Sequence, residues 1–225
     1  MLEILSMFLY CPTTNWWPTV FLASLGLAAA LLPARVGAQA SITTTVAPVR
    51  ADRAPLLRPW GRGHGGVPAF DQVKVADFKP AMEAAMAENL TEVNAIANNP
   101  QAPTFDNTLA ALERSGGAMD RVGAVYGVWN STLNDPAFSA VARDMAPRLA
   151  AFGDQITQNT ALFKRIEAVY NDPATKKLTP EQRRLVEVRY KAFIRAGAKL
   201  DAPAKARLSQ INQQLAGLFT RFQQN

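Results

Sequence analysis

Leu178 to Asp201 reads LTPEQRRLVEVRYKAFIRAGAKLD. It describes a helix with both of its ends marked. Thr179, followed three residues later by Gln182, forms a capping box, in which each side chain satisfies a backbone N–H that the first turn would otherwise leave unpaired. Pro180 stands at the first helical position, where a missing N–H costs nothing. Gly197 stops this helix, and Asp201 caps a further one.

The same punctuation repeats upstream. Asp77 is placed to cap a helix running to about Ala97, with Phe78, Met82, Ala85, Met86, Leu90, Val93 and Ile96 on one broad face. Asn98-Asn99-Pro100 ends it. Thr104 caps FDNTLAALERS, which stops at Gly116-Gly117, and a third helix spans about Ala118 to Leu133. Asp135-Pro136 opens the next, which Pro147 is expected to end or kink. Leu162 to Tyr170 reads as a short helix. No segment shows sustained two-residue alternation with Val, Ile and Thr enrichment. The expected fold class is therefore all-α, a bundle or array with antiparallel neighbours joined by short connections.

In the final helix Leu208, Ile211, Leu215, Leu218 and Phe222 step by three and four residues; Ala204 extends the stripe and Phe219 widens it. Such a stripe is a packing face rather than a ligand site. It runs almost to Asn225 with no capping signal after it. The helix is expected to continue beyond this point.

Composition narrows the function classes. The chain is 48% hydrophobic, with net charge +6 and pI near 9.7. The basic residues do not form a tight stripe: Arg50, Arg53, Arg58 and Arg62 fall in a Pro/Gly-rich segment and the others lie among acids on helices, which argues against nucleic acid. One cysteine, Cys11, and one histidine, His64, allow no internal disulfide, and no zinc site of the usual His/Cys kind. They are a poor nucleophile pair too, because Cys11 lies in a segment expected to be removed. No catalytic, cofactor-binding or metal-ligating residue is expected in this chain.

That segment is 1–40. Val20 to Leu32 is apolar apart from Ser24 and Gly26, and Ala38-Gln39-Ala40 is the small-x-small pattern of signal-peptidase cleavage, expected after Ala40. The run falls short of the roughly 20 residues of a membrane span. The stretch before it carries Glu3 and no Lys or Arg, which a wrongly chosen start codon would explain. An N-terminal membrane anchor is the alternative reading. Either way the rest is expected in the periplasm or outside the cell, and in the first reading with no membrane association after cleavage. Residues 41–66 read as a flexible Pro/Gly/Arg-rich arm and 67–225 as the helical domain. The GRGHGG piece lacks both the Gly-Lys-Ser/Thr and the preceding strand of a phosphate loop. Asn89-Leu90-Thr91 and Asn130-Ser131-Thr132 match the glycosylation triplet but carry no weight.

Several blocks in order carry a family resemblance. VPAFDQVKVADFKPAMEAAMAENLTEVNAIANNPQAPTFDNTLAALERSG, APRLAAFGDQITQNTALFKRIEAVY, LTPEQRRLVEVRYKAFIRAGAKLD and ARLSQINQQLAGLFTRFQQN resemble the N-terminal region of the thimet-oligopeptidase-like zinc metallopeptidases, in their peptidyl-dipeptidase branch. The resemblance runs from about Pro55 to Asn225, with GRGHGG a departure from it. It implies a mostly helical, two-lobed enzyme that hydrolyses short peptides in a deep channel, releasing dipeptides from the carboxyl end. It also implies a zinc held by His-Glu-x-x-His and a downstream Glu. Those residues belong to a region beyond the one matched, and no family catalytic residue maps onto this sequence. The chain is then expected to be an inactive channel-wall portion of such an enzyme, and the stripe from Leu208 to Phe222 to be under-buried in it, because the resemblance implies that it partly faces elements outside these residues. The alternative is a standalone helical module that binds peptides or pairs with a separately encoded catalytic half.

Overall fold

The computed structural model describes residues 55–61, 66–133 and 135–225. The expected signal peptide, Cys11, His64 and most of the expected arm lie outside these residues. Among the described residues the elements are all helical. A 3₁₀ turn, Phe70–Gln72, leads into α1, Val75–Ala97. A π-turn, Phe105–Leu109, runs directly into the short α2, Ala110–Arg114. Then follow α3, Gly117–Thr132; α4, Pro136–Thr157; α5, Thr160–Asn171; a 3₁₀ turn, Pro173–Lys177; α6, Pro180–Arg195; and α7, Ala202–Gln223.

The long α1 organises the body because it serves two cores in turn. Its first half buries Phe78, Ala81, Met82 and Ala85 against Ala118, Val122 and Val125 of α3 and Phe138, Ala142, Met145 and Leu149 of α4. Its second half buries Val93 and Ala97 with Leu109, with Leu162, Phe163, Ile166 and Val169 of α5, and with Val186 and Phe193 of α6. Phe78 is fully enclosed and meets Trp129, Phe138 and Tyr126 edge-on at ring-centroid distances of 5.3, 5.2 and 5.8 Å, a geometry that adds to area burial. Burial pushes the Tyr126 hydroxyl up to about 12.

The start signals are made as bonds. Asp135 accepts from the Phe138 amide at 2.7 Å and Asp201 from the Ala204 amide at 2.8 Å. Thr179 and Gln182 exchange bonds of 3.1 and 3.3 Å, and Thr104 and Asn107 bonds of 2.8 and 3.2 Å. Gly116 adopts φ +83° and gives its amide to Glu92 Oε2 at 2.6 Å. A side chain there would be strained, which is why the chain turns from α2 into α3 at a glycine.

Four expectations need correction. Asp77 is not the cap of α1: Lys74 is the extended N-cap residue, and Asp77, at the third helical position, accepts the Lys74 amide at 2.8 Å. Pro147 does not end its helix. It sits within an uninterrupted α4, where Met145 and Leu149 on either side are both buried, and that burial holds the helix through the proline. The short helix expected at Leu162–Tyr170 is longer at both ends, because Asn159 caps it by accepting the Leu162 amide at 3.0 Å. Finally, the expected arm is not uniform. Leu56 and Leu57 are buried in the first core, and Arg121 donates to the Leu57 carbonyl at 3.2 Å. Two adjacent leucines have no period to mark them as core.

Candidate functional site

The geometry of α7 sets it apart from the other long helices: none of its residues is buried. It lies along α4. The side it turns to α4 is polar and small-chained, with Ser209, Asn212, Gln213, Ala216, Gly217, Thr220 and Gln224 half-buried. Asn212 donates to Asp154 Oδ1 at 2.8 Å. Gln224 accepts from Arg143 at 2.7 Å and donates to the Ser139 carbonyl at 3.1 Å. At the other end Lys205 donates to the Gln158 carbonyl and the Thr160 hydroxyl at 2.9 and 3.0 Å. These bonds fix the rotation of α7 along its length.

That rotation turns the apolar stripe to solvent. Leu215 and Leu218 are each 57% exposed, Phe219 62% and Phe222 78%. Ile211 is also exposed, and Leu208 is half-buried beside Gly197. The stripe expected to be under-buried is so, and the inward face is the polar one. Its signal was present in the sequence as Asn212, Ala216, Thr220 and Gln224, polar or small residues at spacing four.

Two open hollows lie on the described surface. One, of about 460 Å³, separates α4 from α7 and is lined by Arg143, Pro147, Gln213, Gln214, Gly217 and Arg221. The other, about 440 Å³, lies beside the π-turn and includes Asn99, Asp106, Asn107 and Arg114. Neither brings a nucleophile beside a base. The described residues include no histidine or cysteine, and among them no three His, Cys, Asp or Glu side chains cluster as metal ligands. The described residues therefore offer no zinc-ligand set. Likewise, no described helix is long and apolar enough to cross a membrane.

The remaining polar clusters are structural. Arg165, buried on α5, donates to the carbonyls of Asn99 and Gln101 at 2.8 and 2.9 Å and to Asn107 Oδ1 at 2.9 Å, pinning the loop between α1 and the π-turn. Tyr170 stacks on Tyr190 at 3.9 Å, and Lys199 binds both the Tyr190 hydroxyl, at 3.2 Å, and Glu167, at 2.9 Å. Ion pairs elsewhere join Lys79 to Asp144, Arg148 to Glu83 and Arg189 to Glu113. Asn89 of the first glycosylation triplet is buried within α1, with its amide on Glu92. The most prominent feature of the described surface is therefore the exposed apolar stripe of α7.

No family model matches the chain. Among curated proteins it is similar to the dipeptidyl carboxypeptidases of Salmonella typhimurium and of Escherichia coli, each 36% identical over 157 residues, 70% of this chain and 23% of the relative. It is more distantly similar to organellar oligopeptidase A of Arabidopsis thaliana, 24% identical over 161 residues, 70% of this chain and 20% of that protein. The chain thus spans less than a quarter of the length of the relatives it matches. Over its helical body the chain is similar to the N-terminal region of the thimet-oligopeptidase-like peptidases, the dipeptidyl carboxypeptidases among them.

Proposed function

We propose that this chain supplies the N-terminal helical portion of an exported peptidase of the dipeptidyl carboxypeptidase kind. It forms part of the wall of a channel that admits short peptides, and it performs no hydrolysis itself. The observation that carries this reading is 36% identity to two dipeptidyl carboxypeptidases over a stretch that is only 23% of their length. The region of the family that carries the zinc motif is not among the blocks matched by this sequence. Zinc, the family's metal, belongs to the complete enzyme. Export rests on the apolar run from Val20 to Leu32 and the Ala38-Gln39-Ala40 pattern, and puts the helical body in the periplasm or outside the cell. The basic residues form no tight stripe along the sequence, and some of them pair with acids, which speaks against a nucleic-acid partner.

The test is dipeptide release from an N-acylated peptide by the purified chain, with and without added zinc and with a chelator control. No turnover is expected in any arm. Chelator-sensitive release above background would overturn the assignment of this chain as a non-catalytic portion.

A further inference from the structure

We infer that the outward face of α7, built from Ile211, Leu215, Leu218, Phe219 and Phe222, is the seam on which the remaining portion of the family polypeptide packs, through an apolar surface rimmed by acidic side chains. This rests on the reading of the chain as the N-terminal portion of a longer family member.

The structure supports that occupant in three ways. First, α7 has two different faces and only one is in use. Its polar face is held to α4 and the start of α5 by the bonds of Asn212, Gln224 and Lys205, so the helix cannot roll to bury its leucines without breaking them. A helix pinned by polar contacts on one side and apolar on the other is a middle layer, and contiguous exposed apolar side chains of this kind mark contact surfaces. Second, more than three-quarters of each relative's length lies outside the matched region, which is ample polypeptide to cover one helix. Third, the charge on α7 is of one sign. It carries Lys205, Arg207 and Arg221 and no Asp or Glu from Ala202 to Gln223. A second copy laid face to face would bring Arg207 and Arg221 of both copies to one rim with no acid on either helix to answer them, whereas a partner with acidic side chains around an apolar patch is complementary.

The experiment compares one set of substitutions in two settings. Residues 55–225 replace the matched region of the Escherichia coli dipeptidyl carboxypeptidase, and the chimera is assayed for folding and for dipeptide release from an N-acylated peptide. Leu215→Gln, Leu218→Gln and Phe222→Gln are then introduced together into the chimera and into the full 225-residue chain alone. The expected result is an active parent chimera whose melting temperature falls by several degrees and whose activity drops on substitution, while the chain alone melts as before. A parent chimera that is active and indifferent to the substitutions puts the seam elsewhere and overturns this inference, leaving the family portion reading intact. A parent chimera that does not fold, from a chain that does, overturns that reading and this inference with it. Unfolding of the substituted chain alone would make the stripe core, and a dimer of the chain that the substitutions dissolve would make a second copy the occupant; either result overturns the inference.

Discussion

Asn212 Nδ2 on α7 donates to Asp154 Oδ1 on α4 at 2.8 Å, and Asp154 is 92% buried, being only 8% exposed. Gln158 reaches the same oxygen at 3.3 Å, while Oδ2 has no hydrogen-bond partner. The carboxylate is therefore held at one oxygen only. It is the anchor around which the rotation of α7 is set, and its weakness lies in having nothing in reserve.

Removing the amide should expose that weakness. Asn212→Ala leaves a buried carboxylate short of its best donor, a loss worth about 1–3 kcal/mol. Thermal melts of the variant should show it, and hydrogen exchange in α7 should speed up ahead of exchange in α1. Equal protection of α7 in both proteins would mean that the remaining contacts with α4 suffice to hold it.

Gly197 makes the turn between α6 and α7 at φ +89°, and a Cβ placed there would lie 2.7 Å from Leu208 Cδ2 and 3.0 Å from Leu200 Cδ1. Both neighbours are tips of flexible side chains, which can move aside, so the larger cost is the left-handed backbone, roughly 1–2 kcal/mol for a residue with a Cβ. Gly197→Ala should lower stability by about that amount. Gly197→Asn should lose less, because Asn tolerates this region better. Chemical denaturation of the pair decides; an alanine variant as stable as the parent would show that the turn relaxes out of the left-handed region.

The parts of this fold that a reader can take from sequence are those whose cause is local. Thr179 and Gln182, Asp135 before Pro136, and Asp201 act on amides three residues away, and their bonds are found where the spacing puts them. Pro147 does not end its helix: it costs one N–H, and Met145 and Leu149 beside it are buried. Leu56 and Leu57 are silent because a pair has no period. The direction of α7 was the least accessible. Its own sequence holds two stripes, one apolar and one of small and polar residues, and only Asp154, Arg143 and Gln158, far away in sequence, decide which of them faces inward. Apolar periodicity marks a contact face without saying whether its partner is among these residues.

Arg165 gives a stronger test of the second core. It bridges α5 to the loop after α1 through two carbonyls and the Asn107 side chain, all within 2.9 Å. Bonds to a charged donor contribute about 1.5–3 kcal/mol each and are not additive. Arg165→Ala should therefore cost at least about 3 kcal/mol and open the loop at 98–104 to protease. Arg165→Lys should recover little, since an ammonium cannot reproduce the planar fork that meets three acceptors. Full stability of the lysine variant would reduce the role of Arg165 to that of a charge.

Glu167 and Lys199 predict how acid affects the same region. The Glu167 carboxyl is held below its ordinary value of 4.5, first by the hydrogen bond from Lys199; burial opposes this and is the next largest effect, and the charge of that ammonium and a bond from Tyr190 add to the lowering. Lys199 is raised above its ordinary 10.5, chiefly by its bond to Glu167. A carboxyl whose value is lowered on folding contributes stability above its unfolded value and loses it as the pH falls through the folded one. A lysine whose value is raised contributes below its unfolded value and loses it as the pH rises through the folded one. The pair therefore contributes its full amount from above 4.5 to below 10.5. Both side chains are substantially solvated, so the contribution is modest and screened by salt. Glu167→Gln should melt slightly below the parent at neutral pH in low salt. The interval between the two proteins should hold down to about pH 5 and close as the pH falls below the ordinary value of a glutamate. Melting curves of both proteins from neutral pH into acid provide the check. An interval that stays constant into strong acid would show that the carboxylate charge is not its source, and that Glu167 supports the Tyr170–Tyr190 stack by packing instead.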